Sequence, residues 1–220
     1  SSAYTDEQAV VVNAHLALWQ SWATTANGPF GDTFIGHLDL STVGLVGHSR
    51  GGEAMARFAA GQAGAAPAVP VAGMFLIAPA LPVDGAEPSI PPDPMAVLMG
   101  TCDGDVGDGP ARFVSTSNGG RDPARRTLVT VNGANHNFYN TRWTPGSGLA
   151  DATDDGELLA TKRPACQPGS PTRLTPTQQQ SIASDTAVAF FDAAFSGRST
   201  PLAIAKVARG NPAIAVATAR

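Results

Sequence analysis

At 220 residues, with 43% apolar and 15% charged side chains, the chain has the composition of one well-buried globular domain. Its formal net charge is -4 and its 14 basic residues are scattered, so it lacks the electrostatic footprint of a nucleic-acid binder, and DNA and RNA are set aside as partners. No apolar run approaches the roughly 20 residues a membrane-spanning helix needs.

The first element expected is a helix over residues 6–25. Thr5-Asp6-Glu7-Gln8 has the form of a capping box, and Val11, Ala14, Leu18 and Trp22 then recur on one face. A Gly- and Asp-containing loop follows. Residues 43–46 form a short apolar run bounded by turn residues, the pattern of a buried strand, and a helix opens at Glu53-Ala54-Met55. Two further buried-strand patterns cover 71–77 and 95–99, separated by a proline-rich loop over 79–94, and a fourth covers 127–131. Apolar strands of this kind alternating with helical segments predict an α/β fold with a mostly parallel sheet covered by helices on both faces. Residues 141–174 lack periodicity and read as a long surface loop. Thr175-Pro176-Thr177-Gln178 then combines a capping box with proline at the first helical position. Val188, Phe191 and Phe195 share a face, and Gly197 supplies the stop. Residues 198–220 form an Ala- and Pro-rich tail with no assigned structure or role.

The chemistry sits between the first strand pattern and its helix. Gly47-His48-Ser49-Arg50-Gly51 matches the nucleophile elbow Gly-x-Ser-x-Gly, in which a serine on a strained strand-to-helix turn projects its hydroxyl above the sheet. Small neighbours at Gly47 and Gly51 fit so tight a turn. A serine hydroxyl is a poor nucleophile at neutral pH and needs a base, and the base needs an acid to fix its tautomer. Of the four histidines, His15 lies inside the first helix and His37 precedes the elbow strand. His48 occupies the variable elbow position and is expected to point away from Ser49. Only His136 follows a later strand, in the loop after residues 127–131. For the acid, three carboxylates follow residues 95–99: Asp103, which comes first, then Asp105 and Asp108. Asp103 is preferred, with Asp105 the main competitor. Calcium ligation by this Asp-rich run is disfavoured because the acidic twelfth position of an EF-hand loop is lacking. Neither a metal nor a cofactor is expected.

These residues give the chain its resemblance to the α/β-hydrolase superfamily, and within it to the secreted bacterial esterase and lipase-like branch that carries Gly-His-Ser-Arg-Gly-Gly at the elbow. The likeness covers about residues 5–197. It implies that Ser49 attacks an acyl carbonyl, that His136 takes its proton and passes it to the leaving group, and that Asp103 holds His136. The backbone N–H of Arg50 would be one oxyanion donor. The two cysteines, Cys102 and Cys166, are compatible with a disulfide or with two buried thiols. The resemblance favours a bridge fixing the acid and histidine loops, and with it an extracytoplasmic location.

Two departures from the family pattern matter. Only 48 residues precede Ser49, and they contain one long helix. Residues 1–197 therefore read as the C-terminal catalytic half of the domain, with the N-terminal strands and the second oxyanion donor expected from a longer chain or a partner. Where many lipases carry a helical lid, residues 79–94 offer only a loop, which implies an open site. Phe138, Tyr139 and Trp143 are candidates to wall it. The expected function is hydrolysis of a small-molecule or lipid-like carboxylic ester. A peptidase or amidase using the same triad, or an inactive binding module on this scaffold, is the alternative.

Overall fold

The computed structural model describes residues 2–61, 69–88, 93–115, 126–142, 144, 164–167 and 169–218. In chain order the main elements are α1 (Ser2–Thr24), β1 (Val43–His48), α2 (Arg50–Ala59), β2 (Val71–Ile77), β3 (Met95–Gly100), α3 (Ala111–Ser115), β4 (Arg126–Val131), α4 (Pro176–Phe195), α5 (Thr200–Arg209) and β5 (Ile214–Thr218). The strands form one sheet in the order β1-β2-β3-β4-β5. The first four are parallel, and β5 runs antiparallel to β4. The protein is therefore α/β, as its alternation of apolar strands and helices predicts.

The strands read as continuous apolar runs because both faces are covered. Met74 and Leu76 of β2 and Met95 and Val97 of β3 join a core with α1, α2 and α3. The intervening Phe75, Ala96 and Leu98 join a second core with α4, α5 and β5. Period-two alternation along each strand thus feeds two cores.

The helix α1 begins at Ser2 and runs through Thr5, so the Thr5-Asp6-Glu7-Gln8 pattern is not its cap. Residues 2–4 contain no glycine or proline to stop the helix extending backwards. Asp6 instead pairs with Arg57 of α2, Oδ1 to Nη2 at 2.6 Å. The face that α1 turns inward carries Ala9, Val12 and Leu16, whereas Val11 and Leu18 are exposed. In α4 the capping box at Thr175 and Gln178 is present with Pro176 in the first turn. Its inward face, however, is Ile182, Ala183, Thr186, Phe190 and Ala193, while Val188 and Phe195 face outward. Both helices are apolar most of the way round, so periodicity could not select the buried side. The segment beyond Gly197 is not a loose tail: α5 packs on α4, and β5 extends the sheet. Of the expected surface loop over 141–174, residues 143, 145–163 and 168 lie outside the described residues. No helix among the described residues is long and apolar enough to cross a membrane.

Candidate active site

A parallel sheet delivers the loops that follow its strands to one edge, which is where α/β proteins build sites. Here Ser49 follows β1, Ala78 follows β2, Asp103 lies three residues past the end of β3, and His136 lies five past the end of β4. All four positions stand at that rim.

Ser49 has φ 55° and ψ -126°, in the left-handed half of backbone space that non-glycine residues avoid. Its neighbours hold it there. The Ser49 N–H donates to the Ile77 carbonyl at 3.0 Å, and the Ser49 carbonyl accepts from the N–H groups of Gly52 at 2.9 Å and Ala80 at 3.0 Å. Ala78, with φ 42°, is strained next to it, and its N–H donates to the Leu98 carbonyl at 2.7 Å. Strain of this kind costs of order 1–3 kcal/mol per residue and persists only where surrounding bonds over-determine it.

The small residues that make the turn possible are Gly47 and Gly52. A Cβ on Gly47 would fall on the Gly51 carbonyl, and one on Gly52 would come within 2.9 Å of the Pro79 side chain. Gly51 is not sterically required, since a Cβ there meets nothing among the described residues. A serine before a helix ordinarily caps it through its hydroxyl. Ser49 precedes α2 but makes no such bond, and among the described residues its half-buried hydroxyl has no hydrogen bond at all. The N–H of Arg50, first in α2, belongs to the turn whose donors have no acceptor within the helix.

The acid and the imidazole are buried together, Asp103 being 1% exposed and His136 1%. The Nδ1–H of His136 donates to Oδ2 of Asp103 at 2.9 Å. The other carboxylate oxygen, Oδ1, accepts from the N–H groups of Asp105 at 3.0 Å and Val106 at 2.8 Å. Those two bonds fix the carboxylate plane independently of the histidine. Asp105 also reaches the ring from the opposite side, with its Oδ2 3.3 Å from Nε2 and its side chain 39% exposed. A ring protonated on both nitrogens satisfies both carboxylates. A neutral ring serves Asp103 through Nδ1–H and leaves Nε2 as the acceptor a hydroxyl needs.

The acid and histidine loops are joined directly. Cys102 N–H donates to the Ala134 carbonyl at 2.8 Å, Thr101 N–H to the Val131 carbonyl at 3.1 Å, and Gly133 N–H to the Thr101 hydroxyl at 2.9 Å. The disulfide Cys102–Cys166 then ties the acid loop to a one-turn 3₁₀ helix, Pro164–Cys166. From there the chain returns to the histidine loop, where Leu174 N–H donates to the Gly133 carbonyl at 3.0 Å.

His48 does more than fill the variable elbow position. Its Nε2–H donates to the His136 carbonyl at 3.1 Å, and the two imidazole centroids are 4.6 Å apart. Ser49 is the next residue, so serine and histidine share one rim. Nothing in the local pattern flags this contact, which joins residues 88 positions apart. Of the aromatic candidates, Tyr139 packs against the core beneath α4, and Phe138 lies under the Arg173 guanidinium at 5.4 Å. Trp143 lies outside the described residues. Among the described residues no group of three His, Cys, Asp or Glu side chains is placed to hold a metal ion. Comparison with known proteins found no matching family model and no matching curated protein.

Proposed function

We propose that the chain is a serine hydrolase of the α/β-hydrolase type, acting on carboxylic esters through Ser49, His136 and Asp103. One observation carries this reading. A buried Asp103–His136 pair shares a rim with a serine held in a strained turn whose hydroxyl is withheld from the helix it precedes. A structural serine has no reason to store that strain, and burying a carboxylate with an imidazole costs desolvation that an apolar structural core avoids.

In the proposed cycle the imidazole acts in its neutral form: Nε2 loses its proton to solvent and with it the Asp105 contact, and its freed lone pair takes the Ser49 hydroxyl as substrate arrives, catalytic hydrogen bonds commonly tightening only in the Michaelis complex. Nε2 then accepts the serine proton while Oγ attacks the acyl carbonyl, and Asp103 stabilises the resulting imidazolium. The N–H of Arg50 donates to the oxyanion. Collapse expels the alcohol, which takes the proton from His136 and leaves an acyl-Ser49 ester. Water repeats the sequence and frees the acid. The substrate class is a small-molecule or lipid-like ester, and the Cys102–Cys166 bridge suits an oxidising, extracytoplasmic setting.

A fluorophosphonate probe tests the reading. It should label Ser49 and not the Ser49→Ala variant, and aryl esters should turn over faster than matched aryl amides. A folded protein that takes no label at Ser49 would dispose of the proposal.

A further inference from the structure

Beyond the sheet rim, one helix reaches the histidine loop from behind. Gln179 and Gln180 lie in the first turns of α4, and Gln179 meets Asn135, the residue before His136 of the triad proposed above, across 44 positions of chain. Gln179 is fully buried, a rare place for a long polar side chain. Its Oε1 accepts from the Asn135 N–H at 3.0 Å, and its Nε2 donates to the Asn135 carbonyl at 2.7 Å. A single side-chain amide thus pairs with both backbone groups of the residue before His136, as a neighbouring strand would.

Gln180 acts on the other side. Its Nε2 donates to the Phe138 and Asn140 carbonyls, both at 3.1 Å. Consecutive residues on a helix diverge by about 100°, so the two glutamines straddle the loop and hold it before and after the imidazole.

The pair fills a gap the sheet leaves. Past Val131 the loop has left the β4 ladder, yet residues 133–137 remain buried and their backbone groups need partners. Other loops supply the partners at Gly133 and Ala134, and His48 supplies one to the His136 carbonyl. At Asn135 both bonds come from Gln179. A packing role alone would suit an apolar residue, as at Ile182 and Phe190 on the same inward face. The amide is needed where the peptide must be held in one orientation.

We infer that Gln179 and Gln180 form a positioning clamp for His136, setting the imidazole against Asp103 and towards Ser49. The inference rests on the hydrolase reading for the role of the imidazole, but the clamp itself can be observed without turnover. In the full chain, Gln179→Met keeps the length of the side chain and removes both bonds. The measurements are the rate of fluorophosphonate labelling at Ser49, the unfolding midpoint, and the low-field proton resonance of the His136 Nδ1–H held by Asp103. Labelling should slow about 10- to 100-fold, the range expected of a misplacement approaching 1 Å, and the resonance should broaden or vanish at temperatures where the variant is still folded.

A merely structural glutamine would lower the midpoint and leave the resonance in place. Wild-type labelling together with an unchanged resonance in folded Gln179→Met overturns the clamp. Should that variant fail to fold, Gln180→Met, altering a half-buried side chain, takes its place with an expected loss of about 3- to 10-fold from a smaller displacement, and wild-type behaviour there overturns the clamp equally. If the unaltered protein takes no label, the hydrolase reading falls and the clamp is judged on the resonance alone: loss in the variant supports it, persistence refutes it.

Discussion

Replacing Asp103 by asparagine separates the two carboxylates that touch His136. In the native site Oδ1 of Asp103 accepts two backbone N–H groups, from Asp105 and Val106, while Oδ2 faces Nδ1 of His136 at 2.9 Å. An asparagine amide in the same place has only one satisfactory orientation. Its NH₂ cannot face two N–H donors, so the oxygen takes the Oδ1 position and the NH₂ points at the imidazole. There it donates to Nδ1 and selects the tautomer protonated on Nε2, which has no lone pair for the Ser49 proton that the proposed mechanism transfers. Loss of the correct tautomer costs about 10⁴-fold in kcat, or about 5 kcal/mol of barrier. Stability should change little, because the two backbone bonds survive; exchanging a charged hydrogen bond for a neutral one costs about 1 kcal/mol, or roughly 2–4 °C in midpoint for a chain of this size. Asp105→Asn is the matched control. Asp105 is 39% exposed and reaches only Nε2, and a pair of that kind is worth at most about 1 kcal/mol, roughly fivefold in rate. Initial rates on an aryl ester, with thermal unfolding of each variant, make the comparison. A 10⁴-fold loss in Asp105→Asn with near-native rates in Asp103→Asn would reverse the assignment and refute the reasoning.

Other perturbations bear on the scaffold. The Cys102–Cys166 bridge closes a loop spanning 64 positions, so Cys102→Ser with Cys166→Ser should lose about 4 kcal/mol through the freed unfolded chain, read by calorimetry as a midpoint lower by roughly 10 °C. An unchanged midpoint would show that the bridge contributes nothing to stability. At the elbow, Gly47→Ala drives a methyl onto the Gly51 carbonyl and should cost about 1–3 kcal/mol or more, whereas Gly51→Ala meets nothing among the described residues and should be neutral or gain up to about 1 kcal/mol in α2. Equal destabilisation of the two in urea titrations would contradict the geometry. β1 stands at one edge of the described sheet with Val46 54% exposed; Val46→Lys should reduce self-association, measured by light scattering against concentration, as a charge on an open edge generally does.

How much of this was legible in the sequence depended on the range of the forces involved. The strands expected over 71–77 and 95–99, the turn at Ser49 and the cap at Thr175 are each specified within a few residues, by apolar runs, glycines or a box of side chains, and each is found where that local signal places it, the second strand running one residue further to Gly100. Strand geometry favours Asp103, the first carboxylate past residues 95–99, and its contact with His136 is found, but that Asp105 also reaches the ring has no signal in the sequence. The buried faces of α1 and α4 are not legible, because Val, Ala and Leu in α1 and Val, Ala and Phe in α4 are spread around each helix, leaving tertiary packing to choose. β5 carries no local signal: Ile214–Thr218 is alanine-rich and its burial is confined largely to one residue, so its identity as a strand comes from pairing with β4 and not from its own pattern.

His48, Gln179 and Gln180 were illegible for a deeper reason. A parallel sheet brings the ends of its strands to one rim, and that much follows from topology. It does not fix the rotation of a side chain several residues past the last ladder bond. For Asp103 the remaining freedom is removed locally, by N–H groups two and three residues on. For His136 the loop's backbone is instead held by His48, 88 positions away, and by Gln179, 44 positions from its contact at Asn135. Glutamine and histidine carry no pattern that names a partner at such separations. The local half of the Asp103–His136 pair therefore depends only on the turn after β3, while the place of the imidazole depends on contacts from β1 and α4 as well, which makes the geometry of His136 the part of the site most dependent on the completed fold.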